Sequence, residues 1–225
     1  PKGKAKEYGD YAINIYTGCP HECFYCFAPS VLRKVKEDFH GCVQPRKNIV
    51  EEVKRQIERE HITGKLVHLC FTCDPYPVGY DTMPTREIIK ALKESGNHVQ
   101  ILTKGDGRRD FDLLDENDWY GITLDGTESK APILPRLRSL AEAHKSGIKT
   151  WVSFEPVTDE KMFFVELHCV LGVADKIKIG KLNYHPSSID WKAFGHKVED
   201  VCKALGIDYY IKDSLRKEMG SEDGK

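Results

Sequence analysis

Three cysteines fall within eight residues, in Cys19-Pro20-His21-Glu22-Cys23-Phe24-Tyr25-Cys26, a C-x3-C-x2-C run. Thiolates spaced this closely on one loop can hold three irons of a cubane iron–sulfur cluster. The fourth iron is then left without a protein ligand and is open to a substrate or cofactor. Catalytic zinc sites follow the same logic, with three protein ligands and one open position. A ferredoxin needs a fourth cysteine in register, and none follows closely. The rival chemistry is a closed zinc shell completed by Cys42, with or without His21 or His40. Its spacing does not match the paired C-x2-C pattern of ribbons and fingers. A second pair stands at Cys70 and Cys73. Residues three apart on a strand point to opposite faces, so both face one mouth only if the strand ends between them. Cys70 reads as a buried small hydrophobe. Cys73 is the candidate catalytic thiol, a radical donor or redox residue.

Eight cysteines among 225 residues would mean disulfides in a secreted domain, but these cluster, and the start Pro1-Lys2-Gly3-Lys4-Ala5-Lys6 lacks a signal peptide's apolar stretch. Metal or redox chemistry in the cytoplasm is the expectation. A formal net charge of −1 supplies no global field toward nucleic acid or anionic membrane, although a local basic rim is compatible with it. No apolar run approaches the roughly 18 residues of a membrane span, so no membrane partner is expected.

What positions the cysteine loop is an alternation of apolar strands and amphipathic helices. Strands are expected at 11–16, 66–72, 98–103, 119–124, 149–154 and 176–180, with a further short one at 209–211. Helices are expected at 48–61, 85–93, 111–116, 134–145, 163–171 and 189–205. About six βα units are fewer than an eight-fold barrel needs. They predict an α/β fold, a partial (β/α)6 TIM-like barrel of parallel strands, with an open doubly wound sheet as the alternative. One domain over 1–225 is expected, with 1–10 as a flexible lead-in and 216–225 as a flexible tail.

Both architectures place ligands beyond the carboxyl ends of the strands. The segments there are Thr17-Gly18-Cys19, Thr72-Cys73-Asp74, Thr103-Lys104-Gly105, Leu124-Asp125-Gly126, Phe154-Glu155-Pro156 and Gly180-Lys181-Leu182-Asn183. Proline keeps Glu155 extended and so fixes where its carboxylate projects. Glu155 is a candidate to contact cofactor or substrate, or to pair with Lys104 or Lys178. The run Lys178 to His185 carries two lysines, an amide, a phenol and an imidazole, a set suited to an anionic or heteroaromatic substrate.

The cysteine spacing, with aromatic Tyr25 before the third cysteine, resembles the radical S-adenosylmethionine (SAM) superfamily. The loop together with Thr72-Cys73-Asp74 and Thr103-Lys104 is similar to the spore photoproduct lyase and DNA repair photolyase-like group, over Tyr11 to about Leu215. The resemblance implies a [4Fe–4S] cluster on Cys19, Cys23 and Cys26, SAM chelating the open iron, and reductive cleavage to a 5′-deoxyadenosyl radical. It further implies adenine contact near Tyr25, the SAM carboxylate on Lys104, and the ribose on Thr123, where the lyase has a serine. A rigidly held cation suits the carboxylate because the hydrogen bond is charge-assisted. The lyase's hydrogen-donating cysteine aligns with Phe71, which makes Cys73 a neighbour and not a replacement. Implied partners are an external flavodoxin- or ferredoxin-like electron donor and a nucleic-acid lesion or modified base, with a peptide or small metabolite as the alternative substrate.

Overall fold

The computed structural model describes residues 8–127 and 131–220. Seven strands form one sheet: β1 (Tyr11–Ile13), β2 (Leu66–Leu69), β3 (His98–Thr103), β4 (Trp119–Thr123), β5 (Lys149–Val157), β6 (Lys176–Lys181) and β7 (Tyr209–Ile211). Their spatial order is their chain order, and every pairing is parallel. A doubly wound sheet reverses direction at a switch point. This one never does, so right-handed crossovers put all its helices on one side and curl it into a partial barrel. The edges are β1 and β7, the latter being the short strand expected at 209–211.

The helices are α1 (Ala28–Leu32), α2 (Lys36–Gly41), α3 (Ile49–Glu60), α4 (Met83–Glu94), α5 (Ile133–Lys145), α6 (Glu160–Val170), α7 (Trp191–Leu205) and α8 (Asp213–Glu218). Asp159 and Asp190 start α6 and α7 by accepting from the amides of Met162 and Ala193, and Gly206 ends α7 in the left-handed conformation. One strand face carries Val67, Leu69, Val99, Ile101, Ile122, Val152, Ile177 and Ile179, buried under helix residues such as Ile88, Ile89 and Leu92. Each such side chain contributes about 1.5–3 kcal/mol. The opposite face, lining the barrel, alternates with it and carries His68, Gln100, Thr123, Trp151, Ser153 and Lys178, all buried. Gly121 is glycine because Trp151 crosses it: an added Cβ would stand 2.2 Å from the indole nitrogen.

Several boundaries differ from expectation. β1 stops at Ile13, after which Tyr16 bridges antiparallel to Pro45. β2 stops at Leu69 because Cys70 turns to φ +71°, breaking the apolar run before Thr72. The helix expected at 111–116 is a 3-10 turn at Arg108–Leu113. Within the expected lead-in and tail, Tyr8 is buried and Arg216 to Glu218 belong to α8. The rest of both, 1–7 and 221–225, lies outside the described residues.

Candidate active site

The cysteine loop leaves β1 through Thr17 and Gly18. A Cβ on Gly18 would lie 2.3 Å from the Phe39 carbonyl oxygen and 2.6 Å from that of Cys42, so only glycine lets the loop lie against α2. The Cys19 amide donates to the Phe39 carbonyl at 3.2 Å, and His40 Nδ1–H donates to the Cys19 carbonyl at 2.8 Å. A turn closes the loop, with the Cys26 amide on the Cys23 carbonyl at 3.0 Å. Burial pushes the Cys19 thiol well above its usual value, with Asp74 adding, and burial also raises Cys26. Buried thiols that resist ionising alone are what a cation relieves, because ligation takes the thiolate.

Among the described residues, the group of three potential metal ligands whose donor atoms lie within 4.8 Å of one another is His98, Asp115 and Asp118. Cys19, Cys23 and Cys26 are therefore spread more widely than the roughly 3.8 Å sulfur–sulfur edge of a zinc tetrahedron with ~2.3 Å bonds. Of the residues nominated to close a zinc shell, each histidine has one ring nitrogen engaged and the other, His21 Nδ1 or His40 Nε2, buried without a partner. His21 Nε2 sits 2.9 Å from Asp74, His40 holds the Cys19 carbonyl, and Cys42 is exposed. The donor set, three thiolates spaced on one loop, fits a cubane cluster with one open iron.

Lys104 emerges from β3 into the same space. Its ammonium donates to Tyr25 Oη at 2.7 Å and to Asp125, and lies 3.3 Å from Cys23 Sγ. The Tyr25 hydroxyl also donates to Asp125. Burial acts most strongly, to raise the Asp125 carboxyl, but the Lys104 charge and the hydrogen bonds from Lys104 and Tyr25 together hold the group below the usual range. Burial and the Asp125 charge hold the Tyr25 phenol well above its ordinary value, so it remains a donor. Asp125, at the end of β4, is a site residue that the sequence reading passed over, although it stood among the strand ends.

Asp74 ties three loops together. It accepts from His21, from the Lys104 amide (2.8 Å), from the Thr103 hydroxyl (2.5 Å) and from the Tyr76 amide (2.8 Å). Burial would raise its carboxyl, yet the His21 interaction and these donors hold it low. Its clamp joins the cysteine loop to the strand end bearing Lys104.

Thr123 ends β4 on the lining face, buried, paired in register with Ser153. Glu155 pairs with neither Lys104 nor Lys178: its Oε2 accepts from the Tyr8 hydroxyl at 2.7 Å and lies 3.7 Å from Lys212 Nζ. The strand's bend between Phe154 and Val157 turns it across the barrel toward β7. Cys73 Sγ accepts from the Tyr16 amide at 3.4 Å and packs on the core, while the Phe71 ring faces His68 and Tyr8. The early turn at Cys70 puts Phe71, not Cys73, toward the lining.

Three thiols on one loop, a buried ammonium and polar strand ends lie together at the carboxyl end of a partial barrel. The family model of the Radical SAM superfamily matches residues 13–158, more than half of the chain. The chain belongs to the radical SAM superfamily. An uncharacterized protein of Methanocaldococcus jannaschii is 27% identical over 176 residues, covering 72% of this chain and 64% of that protein. An uncharacterized protein of Mycobacterium tuberculosis is 35% identical over 114 residues, 47% of this chain and 33% of that protein. The chain thus spans less than two thirds of the length of these relatives. In fold it is similar to Streptococcus suis SuiB bound to S-adenosylmethionine (TM-score 0.71, 10% identity, covering 99% of this chain and 56% of that one). It is similar also to spore photoproduct lyase complexed with dinucleoside spore photoproduct (TM-score 0.66, 14% identity, 94% and 79%). Among the described residues no helix is long and apolar enough to cross a membrane.

Proposed function

We propose that Cys19, Cys23 and Cys26 hold a [4Fe–4S] cluster, that SAM is seated beside it by Lys104, Tyr25 and Thr123, and that the substrate is a nucleic-acid lesion or modified base. When bound, the cluster supplies the electron that splits SAM into methionine and a 5′-deoxyadenosyl radical, which takes a hydrogen atom from the substrate. The observation that carries this reading is the buried Lys104 ammonium, 3.3 Å from Cys23 Sγ and anchored by Asp125 and Tyr25. An ammonium has three donors and no acceptor. Two are fixed by Asp125 and Tyr25, and the third lies on a sulfur that iron would claim, which leaves it for the carboxylate of SAM. Asp125 keeps that ammonium charged and aimed, and Asp74 holds the Lys104 backbone against the cysteine loop. Tyr25 offers its ring to the adenine and Thr123 its hydroxyl to the ribose.

A base supports the substrate side because the mouth is rimmed by exposed aromatic rings. Phe24, Phe27 and Tyr184 are 46%, 55% and 98% exposed, and Phe24 packs on His185 at 5.2 Å. Exposed rings are stacking platforms for unpaired bases, and chemistry on a base requires taking it out of the stack. The electron comes from outside, from a small flavodoxin- or ferredoxin-like carrier. Anaerobic reconstitution with iron and sulfide, followed by SAM and dithionite, tests the reading through 5′-deoxyadenosine. Bound zinc with no deoxyadenosine overturns it, and failure of single-stranded oligonucleotides to bind overturns its substrate.

A further inference from the structure

The cysteine loop runs straight into a short helical hairpin. Cys26 is followed by Phe27 and α1, and Arg33 and Lys34 turn the chain toward α2. The hairpin is held from beneath: Ala28 and Pro29 are buried, and the Lys34 ammonium donates to the Thr17 carbonyl at 2.8 Å. Its outer side is bare. Val31 and Val35 are 65% and 60% exposed, and Arg33, Lys34 and Lys36 among them are exposed as well. The bridge of Pro45 to Tyr16, with the Thr17 amide on the Gln44 carbonyl, brings Arg46 and Lys47 to the root of the same loop. Residues 27–47 thus carry five cations against two carboxylates, Glu37 and Asp38, in a chain whose formal net charge is −1. Arg55, Arg59, Arg86, Arg108 and Arg109 each have a carboxylate partner. Arg33, Lys36, Arg46 and Lys47 have none among the described residues. Lys36 is near enough to Cys26 for its charge to oppose the rise that burial causes in that thiol.

A single exposed valine needs no explanation. Two of them set among unpaired cations make an apolar centre with a rim of one charge, which complements a partner of the opposite charge. We propose that the hairpin from Val31 to Lys36, with Arg46 and Lys47 beside it, is the docking surface for an acidic electron-carrier protein. The proposal rests on the reading of Cys26 as a cluster ligand, and it says where the electron enters. Charge calls for an acidic partner. The valines call for a protein, because a phosphate backbone has nothing apolar with which to cover them. Position selects a carrier, since α1 begins two residues after Cys26 and a partner seated there is beside the cluster's ligand loop. One electron leaves the carrier's reduced flavin or iron–sulfur group and one enters the cluster, with no bond made or broken on this chain. The small patch suits the work, because redox encounters are brief and bury less than about 1,200 Å².

The test uses two acidic carriers, a bacterial flavodoxin and a bacterial ferredoxin, with Arg33→Glu/Lys36→Glu and Val31→Ser/Val35→Ser as variants at exposed positions. Stopped-flow absorbance of the reconstituted protein is expected to show wild type reduced by at least one carrier at a rate that falls with added salt. The charge-reversed variant is expected to be slower by about tenfold and to lose the salt dependence, and the serine variant to be slower at every salt concentration. Dithionite, which needs no docking, is expected to reduce all three proteins equally. Affinity of the oxidised carriers for the metal-free protein is expected to fall in both variants, a readout of the surface that does not require a cluster. Unchanged carrier kinetics and affinity in the variants overturn the proposal, as does a parallel loss of dithionite reduction, which would mean that the charges act on the cluster itself. Loss of single-stranded oligonucleotide binding with carrier kinetics intact overturns it in favour of a nucleic-acid face. Deoxyadenosine formed with dithionite needs no carrier, so a failure of the proposed function is seen separately.

Discussion

At the scale of single residues, the buried Lys104 ammonium is the group on which the site turns. Replacing it with Ala removes a charge-assisted donor and leaves Asp125 without its cation. Hydrogen bonds to charged groups contribute about 1.5–3 kcal/mol. Lys104→Ala is therefore expected to weaken SAM binding by roughly 10- to 150-fold, measured by titration of the reconstituted protein, with the cluster spectrum unchanged. Equal affinity would reduce Lys104 to a partner for Asp125. Cys73 is a contrasting case. Its sulfur is committed to the Tyr16 amide, so Cys73→Ala is expected to lower the melting temperature while keeping deoxyadenosine yield within about twofold. A change in product identity instead would show that the thiol reaches the substrate.

At the scale of elements, α6 carries a carboxyl behind the site. Glu166 Oε1 accepts from the Gly126 amide at 3.2 Å, beside Asp125, and its Oε2 has no partner. Burial pushes the group up to about 7, the Gly126 hydrogen bond opposes this, and the Asp125 charge adds to it. The folded protein thus holds a proton that the unfolded chain releases near pH 4.5, and stability falls as pH rises from there through 7. The loss is on the order of 3 kcal/mol. Glu166→Gln is expected to raise the urea midpoint at pH 8 and to leave it nearly unchanged at pH 4.5. An equal effect at both pH values would mean that the carboxyl titrates normally.

Elements also show what was legible. Strands β2 to β6 could be read because a parallel sheet covered by helices demands apolar runs, and the end of β3 located Lys104, as the end of the strand expected at 11–16 located the cysteines. Helices α1 and α2 were missed, being five and six residues long and uncapped by any side chain. Asp125 and Asp74 escaped as site residues because a carboxylate after a strand looks like a turn residue. Only the fold brings Asp125 to Lys104 and Asp74 to His21. Glu155 was read with the wrong cation for the same reason, since Lys212 lies 57 positions along and meets it only across the closing barrel.

At the scale of the whole molecule, an unclosed barrel has two edges to protect, and the chain beyond each does so. On the β1 side Tyr8 fills the interior. On the β7 side α8 packs back, with Leu215 and Met219 buried and an ion pair between Lys181 and Glu218. Gly195 of α7 makes room for it, since a Cβ there would lie 2.5 Å from Met219 Cγ. The exposed ion pair adds little, so the apolar contacts must hold the helix. Ending the chain at Lys212 would uncover α7 at Gly195 and forfeit two buried side chains, Leu215 and Met219, roughly 3–6 kcal/mol, a large share of a domain's typical ~5–15 kcal/mol. Truncation after Lys212 is therefore expected to lower stability to urea sharply. Gly195→Ala separates packing from mere chain length. It should destabilise alone and cost less in the Met219→Ala background, because the two changes meet at one contact and are not additive. Additive costs, or a chain ending at Lys212 as stable as the full one, would show that the β7 edge does not depend on α8.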